Sequence, residues 1–256
     1  MSELQDLFAA MAAFAPGVPG DVRPPRDGEI APCRDNSPVL ARLVREIEAS
    51  YPDAGRLFPA VRAWGMVSWQ PATLAVLAVH VTRAVPALDR VSVAASPCGY
   101  RYSLPSDVVQ TGESDALLRL AADRLRTWID AVFADFSGIA PVRARLVERI
   151  VADRILSTLA VLAAEGTLAP RCAEAASANW LNTLLPSRPG RPLTVCAGEK
   201  GILPSFERRA CCLEFRIGAE LCPNCPKLRP SERAAQTKAH WEARWHANRE
   251  AHVRTR

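Results

Sequence analysis

Apolar residues recur along most of this chain with a period of about 3.6, the mark of helices that bury one face. Val39, Leu40, Leu43, Val44 and Ile47 form one such stripe. Asn36-Ser37-Pro38 stands just before it and offers an N-cap with a proline at the helix start. Leu117, Leu118, Leu120, Leu125, Trp128, Ile129, Val132 and Phe133 predict a helix over 115–136. Leu146, Ile150, Val151, Ile155, Leu159 and Leu162 predict another over 141–164, and 173–185 reads as one more. Shorter helices are expected at 1–14 and 53–64. The stretch from Pro71 to about Val85 is apolar nearly all round, which predicts a buried helix beginning at the proline. Residues 17–34, rich in Pro and Gly, read as a loop.

The pattern changes twice. Residues 90–104 alternate and carry Pro97-Cys98-Gly99 at the middle, which predicts a short β-hairpin. Residues 186–192 (PSRPGRP) break the helical pattern and mark a boundary. Beyond it lies a cysteine-rich segment, then a basic helix over 231–253 with Ser231 as its expected cap. The fold class expected is mainly α: a helical domain with a small β-hairpin, followed by a compact C-terminal segment.

Composition adds little to that picture until charge is located. The chain has 256 residues, 49% hydrophobic and 23% charged, which suits a soluble globular protein with a sizeable core. The net charge of +5 resides wholly in the last thirty residues, where eight Lys or Arg meet three Glu. A local docking surface or solubilising tail explains that placement; a nucleic-acid binder does not. The first residues lack a basic n-region, so no signal peptide is expected, and the apolar stretch at 71–88 is broken by His80, Thr82 and Arg83. The expected location is the cytoplasm, where clustered cysteines are metal ligands more often than disulfides.

The candidate chemistry lies in RRACCLEFRIGAELCPNCPKLRP, which spaces Cys211, Cys212, Cys222 and Cys225 as C-C-x9-C-x2-C. Gly218 allows the intervening loop to turn back. Four thiolates suit zinc or an iron–sulfur cluster. Adjacent cysteines bind one ion awkwardly because successive side chains diverge, whereas a two-iron rhomb is a wider target. The spacing therefore favours [2Fe–2S] over zinc, and a structural disulfide over neither. No histidine lies near these four, which disfavours a Rieske-type centre. No dinucleotide fingerprint is present.

These residues resemble the C-terminal signature of the FhuF-like ferric siderophore reductases: Arg208-Arg209-Ala210-Cys211-Cys212-Leu213, then Cys222-Pro223-Asn224-Cys225-Pro226. The spacer of nine is slightly shorter than is usual there. The upstream helices, including Trp64-Gly65 and Trp69-Gln70-Pro71, are compatible with the same family. The resemblance implies that Cys211, Cys212, Cys222 and Cys225 bind a [2Fe–2S] cluster. It implies one-electron reduction of a ferric siderophore, of hydroxamate type, releasing Fe(II) in the cytoplasm. A separate donor, such as a ferredoxin or an NAD(P)H-dependent reductase, would recharge the cluster. On this reading 1–190 is a substrate-binding helical domain and 191–256 is the [2Fe–2S]-binding region. The alternatives are a zinc-stabilised partner- or nucleic-acid-binding module and an electron carrier with another acceptor.

Other residues carry weaker signals. Arg208 and Arg209 read equally as a solvated pair or as stabilisers of an anionic cluster. Cys33, Cys98, Cys172 and Cys196 read as ordinary buried thiols, with Cys196 a spare thiol near the cluster as the alternative. His80 reads as a satisfied core histidine. Tyr100 and Tyr102 read as sheet cover, with lining of a siderophore pocket as the alternative. Trp241 and Trp245 share one helix face, expected to pack on the body, with peripheral membrane association as its other use. His240, His246 and His252 recur every six residues and do not share a face.

Overall fold

The computed structural model describes residues 2–96, 99–187, 190–198 and 201–254. It is mainly helical, as expected. Helices α1 (Glu3–Phe14), α2 (Ser37–Ser50), α3 (Phe58–His80), α4 (Ser114–Ser137), α5 (Ala144–Ala164) and α6 (Pro170–Leu184) pack as a bundle, and α7 (Pro230–Arg254) closes the chain. The bundle is organised around α3, which touches α1, α2, α4 and α5. Its residues are buried nearly all round except for a strip of its first half, Arg62, Gly65, Met66 and Trp69, so no amphipathic pattern marks its limits.

That central helix corrects the sequence reading. Separate helices at 53–64 and 71–85 were expected; α3 instead runs unbroken through Pro71, and Ala84–Pro86 is a strand. An interior proline costs roughly 3 kcal/mol through its missing N–H and ring clash. Here Pro71 is itself fully enclosed, and burial of its apolar neighbours along the whole helix offsets that cost. The turn at Pro52–Ala54 is a short 3-10 segment outside α3.

The strands form three small sheets. β3 (Ser92–Ser96) and β4 (Gly99–Leu104) make the expected hairpin, with Val93 opposite Tyr102. β1 (Gly20–Val22) adds to β4 in parallel, inside a segment expected to be loop throughout. β2 (Ala84–Pro86) pairs with β5 (Val109–Thr111), and β6 (Thr194–Gly198) with β7 (Gly201–Ser205), both antiparallel. The last hairpin was not foreseen. It lies against α5, α6 and α7 and joins the same core through Leu193, Leu203 and Phe206.

Two expected caps are replaced by other contacts. Asn36 does not cap α2; its side chain accepts from the Ala31 N–H and donates to Asp135 on α4. Ser231 lies inside the first turn of α7, where Glu232 accepts instead from the Arg229 N–H. Trp241 is buried and its indole donates to the Pro204 carbonyl at 2.8 Å, so α7 packs on the β6–β7 hairpin as expected. The side chains of Trp245, His246 and His252 lie outside the described residues. Cys33 and Cys172 are exposed, contrary to expectation: neither falls on the inward stripe of its segment. Cys98 lies outside the described residues. No helix among the described residues is long and apolar enough to cross a membrane.

His80 is the satisfied core histidine expected. Its Nε2 accepts from the Trp180 indole at 2.9 Å, so the neutral ring carries its proton on Nδ1. Burial pushes its pKa from 6.5 down to about 4. The folded state therefore favours the neutral ring. This contribution is complete above pH 6.5 and is lost as pH falls towards 4, reaching about 3 kcal/mol. Denaturation measured between pH 7 and pH 4.5 is expected to show this slope, and His80→Gln is expected to flatten it. An unchanged slope in the variant would show that His80 does not titrate on unfolding.

Candidate metal centre

The two cysteine pairs are joined by a loop that closes at both ends in the left-handed region. Leu213, directly after the vicinal pair, has φ 62°, and Gly218 has φ 81°. Between them lies a 3-10 turn, Glu214–Ile217. Left-handed backbone costs a leucine roughly 1 kcal/mol, a strain held only where surroundings impose it. The surroundings do so at several points. Arg216 donates to the Ala54 carbonyl, and Glu214 is paired with Arg62 of α3. Lys227 lies 4.5 Å from the centre of the Phe215 ring. A spacer of nine residues thus returns the chain without unwinding its ends.

The second pair sits in a tight turn, with the Cys225 N–H donating to the Cys222 carbonyl. The Arg208 N–H donates to the Asn224 carbonyl, which ties this turn to the segment leading into Cys211. Cys212 and Cys222 lie near enough for their titrations to depend on each other. That interaction, helped by the Glu214 backbone N–H and by Arg208, pushes the Cys212 pKa down and the Cys222 pKa up. Cys225 is buried and the other three are half-buried.

Asp153 anchors this assembly to α5. Its side chain is 2% exposed, and its carboxylate accepts from the Arg209 and Ala210 N–H groups at 2.8 and 2.9 Å. Arg208 Nε lies 3.7 Å away. Burial pushes Asp153 up to about 6 against the pull of those donors, so it is ionised at neutral pH. Sequence reasoning passed over Asp153. The available signal was an acid on the apolar face of α5, between Ile150 and Leu156, where an unpaired charge would be costly.

Arg208 is the element that reaches the thiols. It is largely enclosed, and its Nη1 is 4.0 Å from Cys222 Sγ. Of the two readings open for Arg208 and Arg209, the solvated pair fails for Arg208. Cys196 sits half-buried on β6 opposite Leu203, with burial raising its pKa.

Beside Cys212 opens a groove. A cavity of about 250 Å³ is lined by Arg62, Trp69, Tyr100, Arg154, Arg208 and Cys212, among others. A second, of about 320 Å³, continues it and shares Arg62, Met66 and Tyr100. Arg62, Gly65, Met66 and Trp69 form one stripe of α3 along the groove. A Cβ on Gly65 would meet nothing within 4 Å. Trp69 and Tyr100 meet edge to face at 5.4 Å. The Gln70 amide, in the orientation that satisfies it, exchanges two hydrogen bonds of 3.3 Å with the Arg101 backbone and so fixes Tyr100 against α3. Tyr100 therefore lines the groove, while Tyr102 is buried in the core; both were read as sheet cover.

The donor set fits a two-iron cluster. All four groups are soft thiols and Arg208 offers N–H to their sulfur. Among the described residues no three His, Cys, Asp or Glu converge on a point that would hold a single metal ion. Residues 208–227 match the family described as the FhuF 2Fe-2S C-terminal domain. The resemblance read from the cysteines is thereby shown for the segment that carries it, and its cofactor is a [2Fe–2S] cluster. No solved structure matches the chain.

Proposed function

We propose that this protein is a ferric siderophore reductase in which Cys211, Cys212, Cys222 and Cys225 hold the [2Fe–2S] cluster and the groove beside Cys212 seats the ferric complex. The observation that carries this reading is that Cys212 itself forms part of the groove wall. A complex lying there is in contact with a ligand thiol, which gives electron transfer its shortest path. The two joined cavities fall within the size range of small-molecule sites, about 300–1,000 Å³. Helices of 1–190 supply most of the groove and 191–256 supplies the cluster side, in keeping with the roles proposed for those two regions.

A [2Fe–2S] cluster supplies one electron at a time. One electron is what a ferric siderophore requires: hard oxygen ligands hold Fe(III) tightly and Fe(II) far less, so reduction frees the metal. The chain's own residues prepare that transfer. Trp69 and Tyr100 wall off water from one side. Arg208 and the Glu214 N–H donate towards the sulfurs, which favours the more negative reduced state and raises the potential. A separate reduced carrier must restore the electron. The resemblance implies a hydroxamate siderophore, a cytoplasmic location and no nucleic acid.

The test is anaerobic mixing of pre-reduced protein with ferric siderophores in the presence of an Fe(II) trap. Reoxidation with release of one Fe(II) per electron is expected. Reoxidation by none of them would leave an electron carrier with another acceptor. Gly65→Leu offers a sharper check. Leucine is a better helix former than glycine by about 1 kcal/mol, so folding is preserved. Its side chain would fill the groove. Full cluster content with slowed reoxidation by bulky chelates is expected, and unslowed reoxidation would place the substrate elsewhere.

A further inference from the structure

We infer that the preferred siderophore carries a carboxylate, and that Arg154 is the residue that reads it. This rests on the groove being the substrate site. Arg154 follows Asp153 on α5 and lines the groove. Arg62 is paired with Glu214, and Arg208 lies beside Asp153 and Cys222. The Arg154 guanidinium makes no hydrogen bond or ion pair among the described residues. Its side chain is half-buried in the groove wall, and burial and then Arg208 push its pKa down to about 10 against the pull of Asp153, so it remains charged.

A half-buried guanidinium that has no hydrogen-bond partner and faces a groove gains from a ligand that supplies one. A neutral ferric tris-hydroxamate brings no negative charge and would further dry this guanidinium. A chelate that combines hydroxamates with a carboxylate presents two oxygens that match the planar fork. Trp69 and Tyr100 then contact the apolar backbone of the chelator.

The test uses the redox-inert Ga(III) complexes of a neutral tris-hydroxamate and of a citrate-based bis-hydroxamate, titrated against the holoprotein. The carboxylate complex is expected to bind roughly tenfold tighter or better. Arg154→Met is expected to remove that preference while keeping the cluster spectrum, and Arg154→Lys to restore part of it. Equal binding of the two complexes, binding of neither, or a preference that survives in Arg154→Met would overturn the inference. Binding without reoxidation of the matching Fe(III) complexes would instead sink the reductase reading alone.

A separate surface carries a second inference, which also rests on that reading. On the other side of Arg208, a cavity of about 430 Å³ is lined by Arg149, Gly190, Arg191, Glu207, Arg208, Arg209 and Pro226. Its only carboxylate, Glu207, is taken by Arg233 at 2.8 Å. Arg149 and Arg191 have no acidic partner among the described residues. The geometry points to this basic face as the docking site of the electron donor, a small acidic iron–sulfur or flavin carrier that passes one electron to the oxidised cluster. Charge complementarity of this kind mainly raises the association rate.

The check is the rate of cluster reduction by a reduced acidic [2Fe–2S] ferredoxin. Arg149→Glu with Arg191→Glu is expected to slow it by about tenfold or more at low salt. Reduction by dithionite and reoxidation by the ferric siderophore are expected to stay unchanged. An unaffected ferredoxin rate, or a wild-type rate insensitive to salt, would overturn the assignment.

Discussion

Asp153→Ala is expected to destabilise the protein by about 3 kcal/mol and to strip it of most of its cluster. The carboxylate is buried on α5 and takes the N–H groups of two successive residues, Arg209 and Ala210, that lead directly into Cys211. Its removal leaves two donors without acceptors and Arg208 without its buried counter-charge. A chain of this size should lose roughly 10 °C in Tm from that change. The loss of cluster follows because the vicinal pair is no longer held at its place above α5. Asp153→Asn should fall between wild type and Asp153→Ala, since one amide oxygen can serve one of the two donors while its NH2 faces the other. Thermal unfolding and iron content of the three proteins check this. A variant with normal Tm and normal iron would mean that the turn at Leu213–Gly218 holds the cysteines unaided.

Cys212→Ser is expected to remove the visible colour almost completely, and Cys222→Ser likewise. Each belongs to a different pair of the proposed ligand set, so losing either would open one end of the rhomb. Cys33→Ser and Cys172→Ser should leave the spectrum intact, because both side chains lie on exposed helical or loop surface. Cys196→Ser separates the two readings of that residue: retained colour is expected from its half-buried place on β6 opposite Leu203. Absorption spectra of the purified variants, normalised to protein, make the comparison. Colour lost in Cys196→Ser and kept in Cys212→Ser would move the ligand set.

Much of the scaffold was legible because its helices are amphipathic. The stripes of α2, α4 and α5 and the alternation in β3 and β4 survive as drawn, within a few residues at their ends. What failed was legibility where burial is uniform. In α3 no stripe exists, so Pro71 was the strongest local cue and pointed to a start that packing overrode. β6 and β7 lack strict alternation and include Pro204, and their pairing depends on α5, α6 and α7. The site divides in the same way. The cysteines announce themselves because all four lie within fourteen positions of one another. Asp153, Arg154, Trp69 and Tyr100 are far from them in sequence, and only the packing of α3, β4 and α5 gathers them. Asp153 alone left a trace, as a charge on an apolar face.

Cys211, Cys212, Cys222 and Cys225 are proposed to hold one [2Fe–2S] cluster that shuttles single electrons. Electron paramagnetic resonance of the anaerobically reduced protein, with the spins counted against iron and acid-labile sulfide, tests it most directly. A silent oxidised state is expected and, on reduction, about one spin for every two irons and two sulfides. A protein that holds one zinc and no sulfide, or that gives the full signal after Cys222→Ser, would contradict it.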